Sequence, residues 1–165
     1  MSTRAKKKAE ELLKTYGLED PIIDVRYIAE REGLNVVFVR MPDQLQDVAG
    51  FLDKDRNRMY IERNDSPTNQ FFAIAHELGH FILNHQPSEY GILCHGNKSD
   101  SNLSKEGEAN DFAMNLLIPK TTLLREIKEN GLKSINNLLK TGLLAKFFGV
   151  STEIMKRRMQ SLGLY

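Results

Sequence analysis

The chain has 165 residues, 41% of them hydrophobic and 27% charged, which is ordinary for a soluble globular protein and enough for one packed core. No apolar run reaches the ~18–20 residues that span a bilayer, the basic start Met1–Lys8 lacks the apolar centre of a signal peptide, and a single cysteine excludes an internal disulfide, so a reducing cytoplasm is the expected location. The net charge of +1 is unevenly spread: residues 120–165 carry nine Lys/Arg against three Glu, a net +6, leaving −5 for residues 1–119.

Residues 4–15 read as a helix, with Ala5, Ala9, Leu12 and Leu13 sharing a face and Gly17 as the stop. A second helix runs from about Asp24 to Glu32 and ends at Gly33. Leu34–Val39, rich in β-branched residues, reads as a strand. Val48–Leu52 and Arg58–Ile61 read as a hairpin with Asp53–Asn57 as its turn region. The expectation is an α+β layout, a three-stranded antiparallel sheet packed on helices. An edge strand in such a sheet can pair with an extended peptide, although covering the core is an equally good use for it.

The next helix carries the chemistry. Ser66 is a good N-cap, Pro67 suits the first helical position, and the apolar run continues through Phe81-Ile82-Leu83 until Pro87 limits it. Within it stands His76-Glu77-Leu78-Gly79-His80, an HExxH motif. Residues four apart stack one turn apart on a helix, so the two imidazoles can reach one ion at the ~2.0–2.1 Å that zinc asks of histidine. Glu77 is rotated off that line yet adjacent, the post of a general base that holds the attacking water. The bland alternative is a pair of core histidines, but three ionisable groups on an oily helix are costly unless they do something.

A catalytic zinc site usually takes three protein ligands, so a third donor is expected downstream. In Lys105–Pro119, read at helical period with Ser104 as cap and Pro119 as end, Glu106 shares a face with Ala109, Asn110, Ala113, Leu116 and Leu117. Glu108, Asp111 and Asn115 fall mostly on the other side and look solvated. Glu106 is therefore the expected third metal ligand, with Glu108 the rival if the helix starts elsewhere. Asn110 sits one turn on and can hydrogen-bond a ligand histidine. His85 reads as a cap or surface group off the ligand face. Cys94 and His95 lie in an ordinary loop, where His95 or Tyr90 could polarise a substrate carbonyl.

After Pro119 a helix runs from Thr121 to about Glu129, stopped by Asn130-Gly131. Leu143–Met159 then has the outline of a helix-turn-helix: apolar helix, Gly149, a Val150-Ser151 lead-in and a basic second helix. Its DNA reading rests on Lys156, Arg157 and Arg158. Packing against the core or a protein partner is the preferred reading, because the outline is short and a fold does not fix a function. The chain is expected to be one domain over 1–165, with a core at 1–119 and a helical C-terminal subdomain at 120–165.

The two metal segments, His-Glu-Leu-Gly-His at 76–80 and Glu-Gly-Glu-Ala-Asn-Asp-Phe-Ala-Met-Asn-Leu-Leu-Ile-Pro at 106–119, together resemble the ImmA/IrrE-type metallo-endopeptidases, zincins of the gluzincin kind. Asp20–Val25, Ile28–Glu30, Gly33-Leu34 and the tail from Gly149 to Arg158 fit the same family. The resemblance implies a zincin-like domain in a cytoplasmic bacterial or phage protease with zinc as cofactor. It carries the metal ligands to His76, His80 and Glu106, and the base to Glu77; no other cofactor is implied. It also implies a protein substrate, such as a helix-turn-helix repressor of a mobile element, phage or stress response. Some relatives act as transcriptional regulators, so the alternative is a DNA- or protein-binding regulator whose metal site does not cut. Nucleic acid is not the favoured partner and no membrane is expected.

Overall fold

The computed structural model describes residues 2–45, 48–85 and 100–165. Its first helix, α1 (Thr3–Tyr16), is capped by the Ser2 hydroxyl and closed by Gly17, whose φ of 62° lets its N–H reach back to Leu13 and Lys14. The buried stripe Ala5, Ala9, Leu12 and Leu13 is the one the sequence predicts. Asp24 caps α2 (Val25–Arg31), which leads through Gly33 into the sheet.

Strands β1 (Asn35–Val39), β2 (Gly50–Asp53) and β3 (Arg58–Glu62) form one three-stranded sheet in the order β1-β3-β2. The hairpin β2–β3 is antiparallel, with Gly50 opposite Ile61 and Asp53 opposite Arg58. Strand β1, however, runs parallel to β3, from Asn35 beside Arg58 to Val39 beside Glu62. The sheet is thus mixed, which corrects the antiparallel expectation. Residues 40–49 are numerous enough to cross the end of β3 and enter β2 on its far side, and β-branched patterning does not encode which neighbour a strand takes.

Helix α3 (Pro67–Ile82) packs over β2 and β3, with Ser66 as its cap and Pro67 in its first turn. Helix α4 (Asp100–Leu117) lies along α3 on one side and along α1 on the other. It begins at Asp100, so Ser104 sits inside the helix and caps nothing, contrary to the expectation. The run from Asp100 to Ser104 is rich in cap-competent residues, and local pattern cannot choose among them. Because α4 is enclosed, its supposedly solvated face is covered too. Asn115 is buried, Asp111 accepts the Ser2 amide at 2.5 Å, and the Ser2 hydroxyl donates to Glu108 at 2.8 Å.

Helix α3 approaches α4 closely at Gly79, where a β-carbon would stand 3.0 Å from the Phe112 ring and 3.2 Å from the Ala109 carbonyl oxygen. Any side chain there would have to push α4 or the Phe112 ring back by a few tenths of an ångström, and the close contact sets the spacing at which an acid of α4 meets the histidines of α3.

Helices α5 (Lys120–Glu129), α6 (Asn137–Phe148) and α7 (Thr152–Ser161) complete the chain, with Gly149 at φ 63° turning α6 into α7 and Ser151 capping the latter. The core is continuous from Ala5 to Met159. Arg158 of α7 is buried against the end of α4, donating from Nε to the Ile118 carbonyl at 3.0 Å and from a guanidinium nitrogen to Asn115 Oδ1 at 2.8 Å. Its charge meets the carbonyl end of a helix dipole.

Candidate metal centre

Helical geometry puts the His76 and His80 rings on one face of α3, and their Nε2 atoms lie 3.0 Å apart. Glu106, on the α4 face that Gly79 allows to come near, reaches both: Oε2 is 3.4 Å from His76 Nε2 and Oε1 is 3.4 Å from His80 Nε2. One ligand atom from each of the three residues lies within 4.8 Å of the others. This is the acid expected from the apolar stripe, and Ala109, Phe112, Ala113 and Leu116 are all fully buried. The rival Glu108 is elsewhere, at 3.2 Å from His85 Nε2.

The donor set suits a divalent metal ion. Asn110 Oδ1, 3.1 Å from His76 Nδ1, can only accept, so that nitrogen carries the proton and donates, as expected of Asn110. The lone pair of His76 Nε2 is then aimed at the centre. Two ring nitrogens facing each other at 3.0 Å, with a carboxylate beside them, leave a position that only a cation or a proton satisfies.

The electrostatics agree. Burial pushes His80 down to about 4, outweighing the opposing pull of Glu106. For His76 burial also opposes the charged form, yet Glu106 and Glu77 together hold its pKa above the ordinary histidine value. Partial burial alone would raise the Glu106 carboxyl, but the two histidines beside it, each 3.4 Å from one of its oxygens, hold it far below the usual carboxylate range. Glu77 is 4% exposed, and burial lifts its carboxyl to about 7, with His76 pulling down and Glu106 pushing up.

Beside these groups opens a cleft of about 480 Å³. His76, Glu77 and Glu106 line it, together with Gly50 of β2. A β-carbon on Gly50 would come within 2.9 Å of the Ile61 side chain and 3.1 Å of the Tyr60 carbonyl oxygen, and would stand in ordinary contact with Glu77 Cγ at 3.6 Å, so strand β2 lies beside the glutamate. Ile154 and Arg157 from the first turns of α7 also line the cleft. No local signal in the sequence assigns α7 to this cleft, because only tertiary packing brings it there.

The basic trio of α7 does not form a patch. Successive helical residues turn by about 100°, and the three side chains diverge accordingly. Lys156 lies 5.3 Å over the Tyr165 ring, Arg157 faces the cleft, and Arg158 is buried. The DNA reading loses Arg158 outright.

His85 also differs from expectation. It is 6% exposed, and its Nδ1 lies 2.9 Å from His80 Nδ1. The signal for this placement is Asn84, which adopts φ 52° and turns the chain back at the end of α3, so that His85 N–H bonds the His80 carbonyl at 3.0 Å. Tyr90, Cys94 and His95 lie outside the described residues.

Among solved structures, the chain resembles a transcriptional regulator from Mycobacterium tuberculosis, with a TM-score of 0.67 at 20% sequence identity. The alignment covers 96% of this chain and 46% of that one, so the chain spans about half the regulator's length. At this identity the likeness is one of fold. No curated protein gives a significant match. Residues 29–160 match the M78 peptidase family, described as the IrrE N-terminal-like domain, and the match encloses His76, Glu77, His80 and Glu106. Carrying a His-His-Glu group fit for a metal ion within a match that covers most of its length, this chain belongs to the M78 peptidase family of IrrE N-terminal-like domains.

Proposed function

We propose that the chain is a zinc-dependent metallo-endopeptidase in which His76, His80 and Glu106 hold the metal and Glu77 is the general base. The observation that carries this reading is the convergence of His76, His80 and Glu106 within 4.8 Å, beside a buried glutamate that lines a cleft. Zinc bound there supplies a Lewis acid that polarises a carbonyl and acidifies water.

The rest is the work of the chain. A Glu77 carboxylate oxygen takes a proton from water as it attacks the scissile carbonyl, then delivers that proton to the departing amine nitrogen. A carboxyl near 7 in the metal-free state is poised for both halves of that transfer at neutral pH, and nearby positive charge lowers it toward the basic form. Strand β2, at the edge of the sheet formed by the described residues, offers backbone groups to an extended peptide, and its Gly50 lines the cleft beside Glu77. Arg157, which also lines the cleft, offers a cation to the same peptide.

A protein substrate of the helix-turn-helix repressor class is the proposed target. The test is to incubate the zinc-loaded chain with the repressor encoded beside its gene. Product bands that vanish with chelator and with Glu77→Gln support the proposal; an intact repressor under all conditions refutes it.

A second reading is a transcriptional regulator whose metal site does not cut, and the likeness in fold to a transcriptional regulator favours it. It predicts a shifted repressor or DNA band with no product. Burial of Arg158 weighs against a DNA-binding form of this reading.

A further inference from the structure

The proposed metal site leaves one buried histidine unused. His85 is not a member of the group that could hold a metal ion, yet it is packed ring to ring with His80, centroids 5.0 Å apart. A buried imidazole needs partners for both nitrogens. Its Nε2 faces Glu108 Oε2 at 3.2 Å and its Nδ1 faces His80 Nδ1 at 2.9 Å.

The proton positions along this chain of groups follow from the acceptor at its end. A carboxylate accepts only, so His85 Nε2 carries the proton and donates to Glu108. In the neutral ring the other nitrogen, Nδ1, is then an acceptor. His80 Nδ1 must therefore be the donor, and the His80 lone pair is left on Nε2, the atom that faces His76 and Glu106. We propose that His85 and Glu108 are positioning residues that fix the tautomer and ring orientation of His80 for metal binding, through the relay His80 Nδ1–H to His85 Nδ1 and His85 Nε2–H to Glu108.

The relay is anchored at both ends. Glu108 accepts the Ser2 hydroxyl at 2.8 Å and has the Arg4 guanidinium 3.8 Å away, so α1 holds the terminal carboxylate. The turn bearing His85 is held by Arg4, which donates to the Leu83 carbonyl at 2.6 Å, and by Lys54 of the hairpin turn, which donates to the His85 carbonyl at 2.6 Å. Asn84 in the left-handed region is what folds His85 back beneath His80. Three parts of the fold thus converge on one ligand histidine that an ordinary motif reading treats alone. His76, by contrast, needs only Asn110.

This inference rests on the metal-site reading, and its test separates the two. Zinc affinity is measured by competition with a chromophoric chelator for the full chain and for His85→Phe, His85→Gln, Glu108→Leu and the His85→Phe/Glu108→Leu double variant. The visible spectrum of the cobalt-substituted protein and thermal melting of the metal-free protein are recorded alongside. Phe keeps the ring volume but offers no acceptor, so His85→Phe should weaken zinc binding about 10–100-fold and alter the cobalt spectrum. Gln retains an acceptor oxygen and should restore most of the affinity. Glu108→Leu should weaken binding on its own but add nothing in the His85→Phe background, because it acts through that ring. Wild-type affinity and an unchanged cobalt spectrum in both His85 variants would overturn the relay, as would fully additive effects in the double variant. A wild-type chain that takes up no zinc would instead remove the metal-site reading, and the relay with it.

Discussion

Replacing Glu77 by Gln tests burial and chemistry together. In the metal-free protein the carboxyl is held near 7, against 4.5 for an ordinary glutamate, with burial as the main cause. A folded-state value above the unfolded one means the contribution to stability is fully present below 4.5 and is lost as pH climbs through about 7. At about 1.4 kcal/mol per pH unit, the gap amounts to about 3 kcal/mol. An amide at this position does not titrate and escapes the loss. Urea denaturation in the presence of chelator, at about pH 4 and about pH 8, should therefore show the variant gaining about 3 kcal/mol on the wild type between the two. Peptide cleavage by the zinc-loaded variant should meanwhile drop by about 10²–10⁴. Parallel stability profiles for the two proteins would refute the claim that burial holds this carboxyl protonated, and a fully active variant would remove its role as base.

Other expectations follow from the same geometry. Gly79→Ala sets a methyl 3.0 Å from the Phe112 ring and 3.2 Å from the Ala109 carbonyl oxygen. Overpacking of about 1–3 kcal/mol, partly offset by about 1 kcal/mol of better helix propensity, should lower the melting temperature. Zinc affinity should fall with it, since the substitution pushes Glu106 from the histidines; unchanged affinity would contradict that coupling. Arg158→Met takes away the donor to the Ile118 carbonyl and Asn115 and should cost about 2–4 kcal/mol by chemical denaturation, while a neutral result would show that the clamp is dispensable. Protons compete for His76, whose pKa is raised, so zinc affinity should weaken as pH falls from about 8 to about 6, with proton release detectable by calorimetry in buffers of different ionisation heat. A flat profile would exclude His76 as a ligand.

Local rules carry further into some parts of this chain than others. Caps and stripes are written in adjacent residues, so α1 with Gly17 and α3 with Ser66-Pro67 are legible, and so is the four-residue spacing of His76 and His80. Glu106 and Asn110 are legible for the same reason, since they share a helical face with residues whose only destination is the core. Features set by what arrives from elsewhere in the chain are not. The neighbour of β1 depends on the path of residues 40–49, and the covered far side of α4 depends on α1 and α7 arriving there. Arg158 looks like one of three surface cations until the end of α4 is set beside it. His85 is an intermediate case: an asparagine ending a helix is a recognised turn signal, and following it would have brought His85 back toward His80.

The mixed sheet also orders events in time. Strands β2 and β3 are joined by a short turn, and such hairpins close in about 1–10 μs. Strand β1 pairs with a partner 23 positions away, in a parallel register that no tight turn can nucleate, and among the described residues it docks against one neighbour only. It should be the last strand to join the sheet and the first to leave it. Amide hydrogens of Val37 and its neighbours should therefore exchange with solvent sooner than those shared by the hairpin, even though all three strands lie in one sheet.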